Sequence, residues 1–183
     1  TEDAPLLGGQ IFGEIRDLIA LDMLCNTFFW RYPEIETVIL RPVHIIGRLN
    51  NATSRYLRMK RPFTLLGFDP LLQLIHAEDV VTAIEKTLTP GVRGVFNLAG
   101  PEPVPLSWIH KHLKRRPRPM PPKVLERIMD TMWSLRLSDW PTPELDHLRY
   151  VCMVDDSAAR KAFRFEHRHD LETILNDLER LRP

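Results

Sequence analysis

The chain has 183 residues, 44% hydrophobic and 27% charged, with a formal net charge of +1. Such values describe one globular domain or somewhat more, and a nearly neutral chain sets up no global field toward nucleic acid or anionic lipid. No stretch reaches membrane-spanning length and none reads as a signal peptide, while Cys25 and Cys152, each in an apolar segment, read as buried thiols of a reducing, cytoplasmic compartment rather than as a disulfide framework.

The first element is a helix over 11–30. Ile15, Leu18, Ile19, Met23 and Phe28 recur at helical spacing, and Ala20, Leu21, Leu24 and Phe29 widen the apolar face. A helix so apolar is expected to be covered on most sides, by a sheet and by a second subunit. Pro33 ends it. The segment 34–41 then reads as a strand, with Val38, Ile39 and Leu40 forming a β-branched run of the kind buried on both faces of a parallel sheet. Pro42 ends that strand because it has no amide proton for the ladder. Ligands of open α/β sheets bind just past the carboxyl ends of strands, so Pro42, Val43 and His44 occupy a ligand-facing position.

Residues 47–61 are polar and basic, with Arg48, Arg55, Arg58, Lys60 and Arg61. They read either as a solvated loop or helix face, or as a cationic lid over a phosphate or carboxylate. Short strands follow at 63–66 and 71–75, separated by the turn Gly67-Phe68-Asp69-Pro70. A helix over 76–88 presents Val80, Val81, Ile84 and Leu88 as its buried face, with Asp79 near its positive end. His76 reads as a structural hydrogen-bonding residue. A second buried strand covers 94–100, and a helix begins after Ser107 and runs to about Leu113. The basic run Lys111, Lys114, Arg115, Arg116 and Arg118 is broken by prolines and lacks the interleaved aromatics of a nucleic-acid surface, so it reads as a solvated helix end. The helix over 123–137 is amphipathic. Its Met-rich stripe (Val124, Leu125, Ile128, Met129, Met132, Trp133) reads as core packing, or else as the wall of an apolar substrate pocket or a membrane-surface face. A helical turn at 143–148, a strand at 150–154, a helix over 157–163 capped by Asp156 and a last helix over 171–181 complete the chain.

Motif searches come back empty. Gly8-Gly9 lacks the strand and the spacing of a nucleotide loop. The seven histidines are scattered and no metal-ligand spacing occurs, so no metal is expected. No nucleophile elbow or spaced carboxylate pair stands out. By composition and motif alone, the chain is an α/β domain. Its opening, Thr1-Glu2-Asp3-Ala4-Pro5, reads like the middle of a loop, so an N-terminal portion is expected to be missing.

The order of segments says more. Thr37-Val-Ile-Leu-Arg-Pro42 with Gly47 after it, Ile75-His-Ala-Glu-Asp-Val80, Gly94-Val-Phe-Asn-Leu-Ala-Gly100 followed by Pro105-Leu-Ser107, and Tyr150-Val-Cys-Met-Val-Asp155 followed by Ala158, Ala159 and Phe163 resemble, in that order, the C-terminal half of an extended short-chain dehydrogenase/reductase of the NAD(P)-dependent epimerase/dehydratase type. The resemblance implies an α/β fold: the C-terminal part of a Rossmann-like parallel sheet beside a smaller α+β substrate domain. Residues 1–47 would be the late part of the Rossmann-like domain, 48–75 a substrate-domain insertion, 76–100 a return to the sheet, and 101–183 the C-terminal substrate domain with closing helices. The strands at 34–41 and 94–98 would run side by side in one direction.

The resemblance also implies NAD or NADP as cofactor. Pro42 and Val43 match the residues whose backbone faces the nicotinamide, and His44 adjoins both cofactor and substrate. Arg58 and Arg61 fall in the substrate loop. Gln73 stands near a position where sugar-nucleotide enzymes carry an arginine, which argues against a nucleotide-sugar and, with the apolar helix 123–137, for a more apolar small molecule. The family's catalytic Tyr-x-x-x-Lys pair would fall at Glu14 and Leu18, or in a slipped register at Phe12 and Arg16; neither restores it, so no catalytic residue is assigned. Three readings follow: an oxidoreductase or epimerase homologue with a degenerate pair and without its N-terminal cofactor-binding half, a pseudoenzyme acting as a binding or scaffolding subunit, and a redox sensor that binds cofactor without turnover. Phe12, Phe28, Phe29 and Trp30 exceed what one sheet face covers and point to a homodimer through the helix 11–30.

Overall fold

A computed structural model describes residues 1–4, 13–136, 149 and 153–180. At its centre two strands, β1 (Val38–Pro42) and β6 (Gly94–Leu98), run parallel, in register from Val38 opposite Gly94 to Pro42 opposite Leu98. The two segments expected to lie side by side do so. β1 is shorter at its start than the expected 34–41 and reaches Pro42 itself, since a proline can still accept at a strand's last position. The next amide, Val43 N, donates to Leu98 O at 3.0 Å. The chain therefore does not pass into a loop at His44. It continues as β2 (His44–Ile46), which pairs in parallel with β5 (Leu74–His76).

The helix α1 (Gly13–Arg31) is fastened to this sheet by polar contacts. The Arg41 guanidinium makes a two-point pair with Asp22, at 2.7 and 2.6 Å. Arg93 donates to Phe29 O and Pro33 O and lies over the Phe29 ring, 4.2 Å from its centroid. The described residues do not supply the expected cover on most sides: Leu18 is 67% and Trp30 76% exposed, and Leu24 and Met23 are similarly bare. Cys25 is only half-buried, because it shares this thinly covered helix.

After α2 (Ala52–Arg58) come β3 (Phe63–Leu65) and β4 (Leu71–Leu72). The expected strand 71–75 is split at Gln73, whose side chain turns to another segment as described below. The helix α3 (Ala77–Thr87) follows, capped by the His76 side chain. After β6 come β7 (Val104–Pro105), α4 (Leu106–His112), β8 (Arg118–Met120), α5 (Pro122–Ser134), α6 (Ser157–Phe163) and α7 (Leu171–Arg180). β3 pairs with β8 in parallel, and β4 with β7 antiparallel.

Two cores result. One lies against β1 and β6 and is filled by Ile75, Phe96, Leu98, Phe163 and Phe165, with Phe96 and Phe163 meeting edge to face at 5.2 Å. The other joins α2, α4, α5 and α7 through Ile46, Leu57, Leu74, Ile109, Leu125 and Ile174. β2 and β5 contribute to both, since Ile46 and Leu74 face one and Ile75 the other, the alternation that a pleated strand imposes.

Other expectations are corrected. The buried face of α3 is not Val80, Val81, Ile84 and Leu88. Asp79 and Ala83 are buried, Val80 packs partly, and Val81, Ile84 and Leu88 are exposed, because hydrogen bonds to Asp79 turn its side of the helix inward. On α5, Leu125 and Met129 are buried while Val124, Ile128 and Trp133 stay substantially exposed. α4 begins at Leu106 rather than after Ser107, and Asp69 receives both Ser107 N (2.8 Å) and Ser107 Oγ (2.6 Å). Asp155, not Asp156, receives Ser157 N at the start of α6; Asp156 binds Arg160 instead. Met153 and Val154 are not in a strand, and Val154 is held by a side chain instead of a ladder. The rest of the expected strand at 150–152, the turn at 143–148, Phe12 and Cys152 lie outside the described residues.

Candidate active-site region

Pro42, Val43 and His44 do fall together, at the carboxyl ends of β1 and β6. Pro42 is exposed; Val43 and His44 are half-buried. His44 Nδ1 lies 3.2 Å from Thr53 Oγ1 in the first turn of α2. That turn is anchored by Asn51, whose side chain accepts from Ser54 N (2.8 Å) and donates to Ile45 O (2.7 Å). An Asn at this position satisfies one free helix amide and ties the helix to β2 at once. Just beyond β2, Gly47 lets the chain pass close to the start of α3: its φ is +151°, and a Cβ there would meet Ala77 Cβ at 2.9 Å. Across the same end, Asn97 N donates to the Glu2 carboxylate (2.9 Å) and Asn97 Nδ2 to Asp155 O (3.3 Å). The region therefore offers an apolar wall at Pro42 and Val43 and a polar edge at His44 and Thr53.

Arg58, Arg61 and Gln73 do not join them. Arg58 donates to Leu178 O and Leu49 O, which ties the end of α2 to α7 and to the preceding loop. Gln73 is buried, and its amide pairs with both backbone groups of one residue: Val154 N donates to Oε1 at 2.8 Å and Nε2 donates to Val154 O at 3.2 Å. This match fastens the segment entering α6 to the break between β4 and β5. Arg61 is exposed and lines a separate cavity with Lys60.

A phenol and an amine poised together are not found among the described residues beside Pro42. Leu18 and Arg16 are exposed on α1, and neither supplies the missing chemistry. Tyr56 is buried in the second core, donates to Phe63 O at 2.7 Å, and has its pKa raised well above the usual tyrosine value by burial. A phenol held that way keeps its proton.

A polar cluster that sequence reading assigned only in part joins α3 to the segment before α7. Asp79 is 1% exposed and accepts three bonds, from Arg168 N, His169 N and His169 Nδ1. His169 stacks on His76, and Glu78 and Asp177 flank the pair. Donor atoms of His76, Glu78 and His169 lie within 4.8 Å of one another, close enough to suggest a metal. The wiring opposes it. His76 Nδ1 accepts from Glu78 N at 3.2 Å, so the ring proton belongs on Nε2, the atom that faces Asp177 at 3.3 Å and the one a cation would need bare. The sequence signal for this cluster was the acid three residues after His76, but its partner lies near the other end of the chain.

No family model matches the chain. Uncharacterized proteins of Mycobacterium tuberculosis and Mycobacterium bovis are 36% identical to it over 122 residues, which is 66% of this chain and 32% of theirs. Among solved structures, a UDP-glucose 4-epimerase from Bifidobacterium longum in complex with NAD+ and UDP superposes with a TM-score of 0.68 over 97% of this chain and 56% of that one, at 14% identity. A dTDP-glucose 4,6-dehydratase from Bacillus anthracis in complex with NAD gives 0.65 over 98% and 54%, at 15% identity. A UDP-glucose 4-epimerase from Thermotoga maritima with UDP-glucose gives 0.58 over 85% and 49%, at 18% identity. The chain thus has the Rossmann-like α/β fold of the NAD-dependent epimerase/dehydratase structures. It spans about half the length of those solved chains and about a third of its curated relatives.

Proposed function

We propose, from this shared fold, that the chain is the C-terminal part, late sheet strands together with substrate side, of an NAD(P)-dependent epimerase- or oxidoreductase-type protein, whose catalytic pair is degenerate and whose glycine-rich cofactor-binding half lies outside this chain. One observation carries the reading. β1 and β6 run parallel and end together at Pro42 and Leu98, and the Val43 amide closes the ladder just beyond them. In an open α/β sheet that end is where ligands sit. The residues present fit only the nicotinamide end of a dinucleotide: Pro42 and Val43 supply an apolar wall, and His44 with Thr53 supplies a polar edge. When bound, the cofactor would supply hydride chemistry. The chain's own contribution would be to position the ring and exclude water from one side of it.

The domain layout follows the two cores, with β1, β6, α3 and α6 as the sheet side and α2, α4, α5 and α7 as the substrate side. A small molecule of apolar character would enter between them, in the cytoplasm. Arg58 and Gln73 would shape the wall rather than touch the substrate, since both hold backbone groups. Self-association through α1 belongs to the same reading, because Leu18, Met23, Leu24 and Trp30 form an exposed apolar face.

A second reading is favoured by the fate of the phenols. With Tyr56 tied to Phe63 O and no Tyr-Lys pair on α1, the protein is a cofactor-binding sensor or scaffolding subunit that turns over nothing. Titration of the full-length protein with NADH and NADPH, read by nicotinamide fluorescence, separates these. Binding with oxidation or epimerisation of a substrate supports the first reading. Binding without any turnover supports the sensor. Absence of binding removes both and leaves the scaffold.

A further inference from the structure

Two basic stretches far apart in the sequence meet in the fold. One ends at Lys60 and Arg61; the other includes Lys114, Arg115 and Arg116. Their backbones are joined directly: Arg116 N donates to Lys60 O at 3.1 Å and Arg118 N to Pro62 O at 2.8 Å, after which β3 and β8 continue side by side. Between these stretches and the end of α7 lies a cavity of about 490 Å³. Its described lining sets five cations, Lys60, Arg61, Lys114, Arg115 and Arg116, against the single carboxylate of Glu179.

The arrangement is built rather than incidental. Arg115 has a side chain only 4% exposed; its Nε donates to Leu57 O at 3.0 Å and its Nη2 lies 3.2 Å from Glu179 Oε1. Lys114 has φ of +52°, a left-handed conformation that is unfavourable for a lysine. That turn, just past the end of α4, sends Arg115 inward and leaves Lys114 and Arg116 exposed on either side of it. With Glu179 already facing Arg115, Lys60, Arg61, Lys114 and Arg116 ring the opening as like charges, which repel one another. His112 on the same wall stacks on Trp108 at 5.2 Å, so its ring is held flat, and Asn176 of α7 adds an amide.

We propose that this cavity binds the phosphate or diphosphate group of a small phosphorylated molecule or of a phospholipid headgroup. An oxyanion among guanidinium forks and lysines gains short charge-assisted bonds and relieves the repulsion between them. The residues differ from those given to the nicotinamide end, so the inference stands or falls independently of the cofactor reading. The stretch ending at Lys60 and Arg61 left an anion-facing lid open as one reading, but the run at 114–118 read as a solvated helix end, and only the fold brings the two together.

The test uses full-length protein, inorganic pyrophosphate in calorimetric titration, and sedimentation with phosphatidylcholine vesicles with and without phosphatidic acid. Lys60→Ala with Arg116→Ala removes two exposed cations and leaves Arg115 in place. We expect pyrophosphate or phosphatidic-acid binding that weakens about tenfold or more in the double variant and falls as salt is raised, with the denaturation midpoint and NADH titration unchanged. Pyrophosphate binding identifies a free phosphorylated ligand, and vesicle binding without it a lipid source. Failure of both probes to bind, or binding that the double variant leaves intact, overturns the proposal. Arg61→Gln serves as an independent variant if the double substitution perturbs folding.

Discussion

The imidazoles of His76 and His169 lie face to face, with ring centroids 4.0 Å apart and planes 27° from parallel. One ring caps α3 and the other precedes α7, so this contact and the Asp79 carboxylate beneath it join two elements from distant parts of the chain. Asp79 receives two backbone amides as well as the ring, so one carboxylate buried to 1% exposure takes three bonds from the segment 168–169.

Asp79→Ala is therefore expected to lower stability by about 2–3 kcal/mol, because it removes the acceptor of three bonds at once. His169→Ala removes one partner and leaves both amides bonded, so its effect is expected to be clearly smaller. Urea denaturation of the full-length variants measures both. Equal losses would mean that the stacked ring, not the carboxylate, holds the segment.

Gln73 gives a second case. Gln73→Leu keeps the volume but leaves the Val154 N–H and C=O without their partner, for an expected loss of about 2–3 kcal/mol. Gln73→Glu keeps the acceptor for Val154 N but brings a buried charge against Val154 O, and is expected to be at least as harmful. Hydrogen exchange at Val154, faster in either variant, reads the local effect.

His110 predicts a pH dependence. It is buried beside Arg115, and burial first, with the guanidinium second, pushes its pKa down from 6.5 to about 4. The fold keeps the ring neutral while the unfolded chain protonates it near 6.5. Between those values the unfolded state holds more protons, so stability rises with pH there. Its contribution is complete above about pH 6.5 and is lost as pH falls toward 4. His110→Gln should flatten that part of a plot of thermal midpoint against pH. An unchanged slope would place the dependence elsewhere.

The bare face of α1 predicts association. Trp30→Lys with Leu24→Lys should shift sedimentation of the full-length protein toward monomer, since two charges on an apolar contact are costly to bury. A wild-type protein that sediments only as monomer at micromolar concentration would remove the proposed dimer.

Much of the layout was legible in residue order. The β-branched run at 38–40 and the segment 94–98 read as strands and pair as strands, because a short apolar run flanked by proline or glycine has few other ways to satisfy its backbone. Helix existence was as plain except for α2, which the sequence left open between loop and helix, but helix facing was not. On α3 the apolar residues Val81, Ile84 and Leu88 suggested the buried side, and the Asp79 bonds to 168–169 decided otherwise. The candidate site was legible in part. Pro42, Val43 and His44 adjoin in sequence and so stay together, whereas Arg58 and Gln73 were read by position, and their partners at Leu178 and Val154 are far along the chain.

By itself the sequence determined most of the local elements, the order that places the chain in an α/β class, and the absence of tyrosine and lysine from the α1 segment, all of which depend on residues near one another. Only the tertiary structure decided which side chains hold backbone and which face open space, and that the basic residues at 60–61 and 114–116 enclose one cavity. The physical reason is range: periodicity and turn chemistry act over a few residues, while the charge and burial that give a site its character arise from segments the chain brings together only on folding.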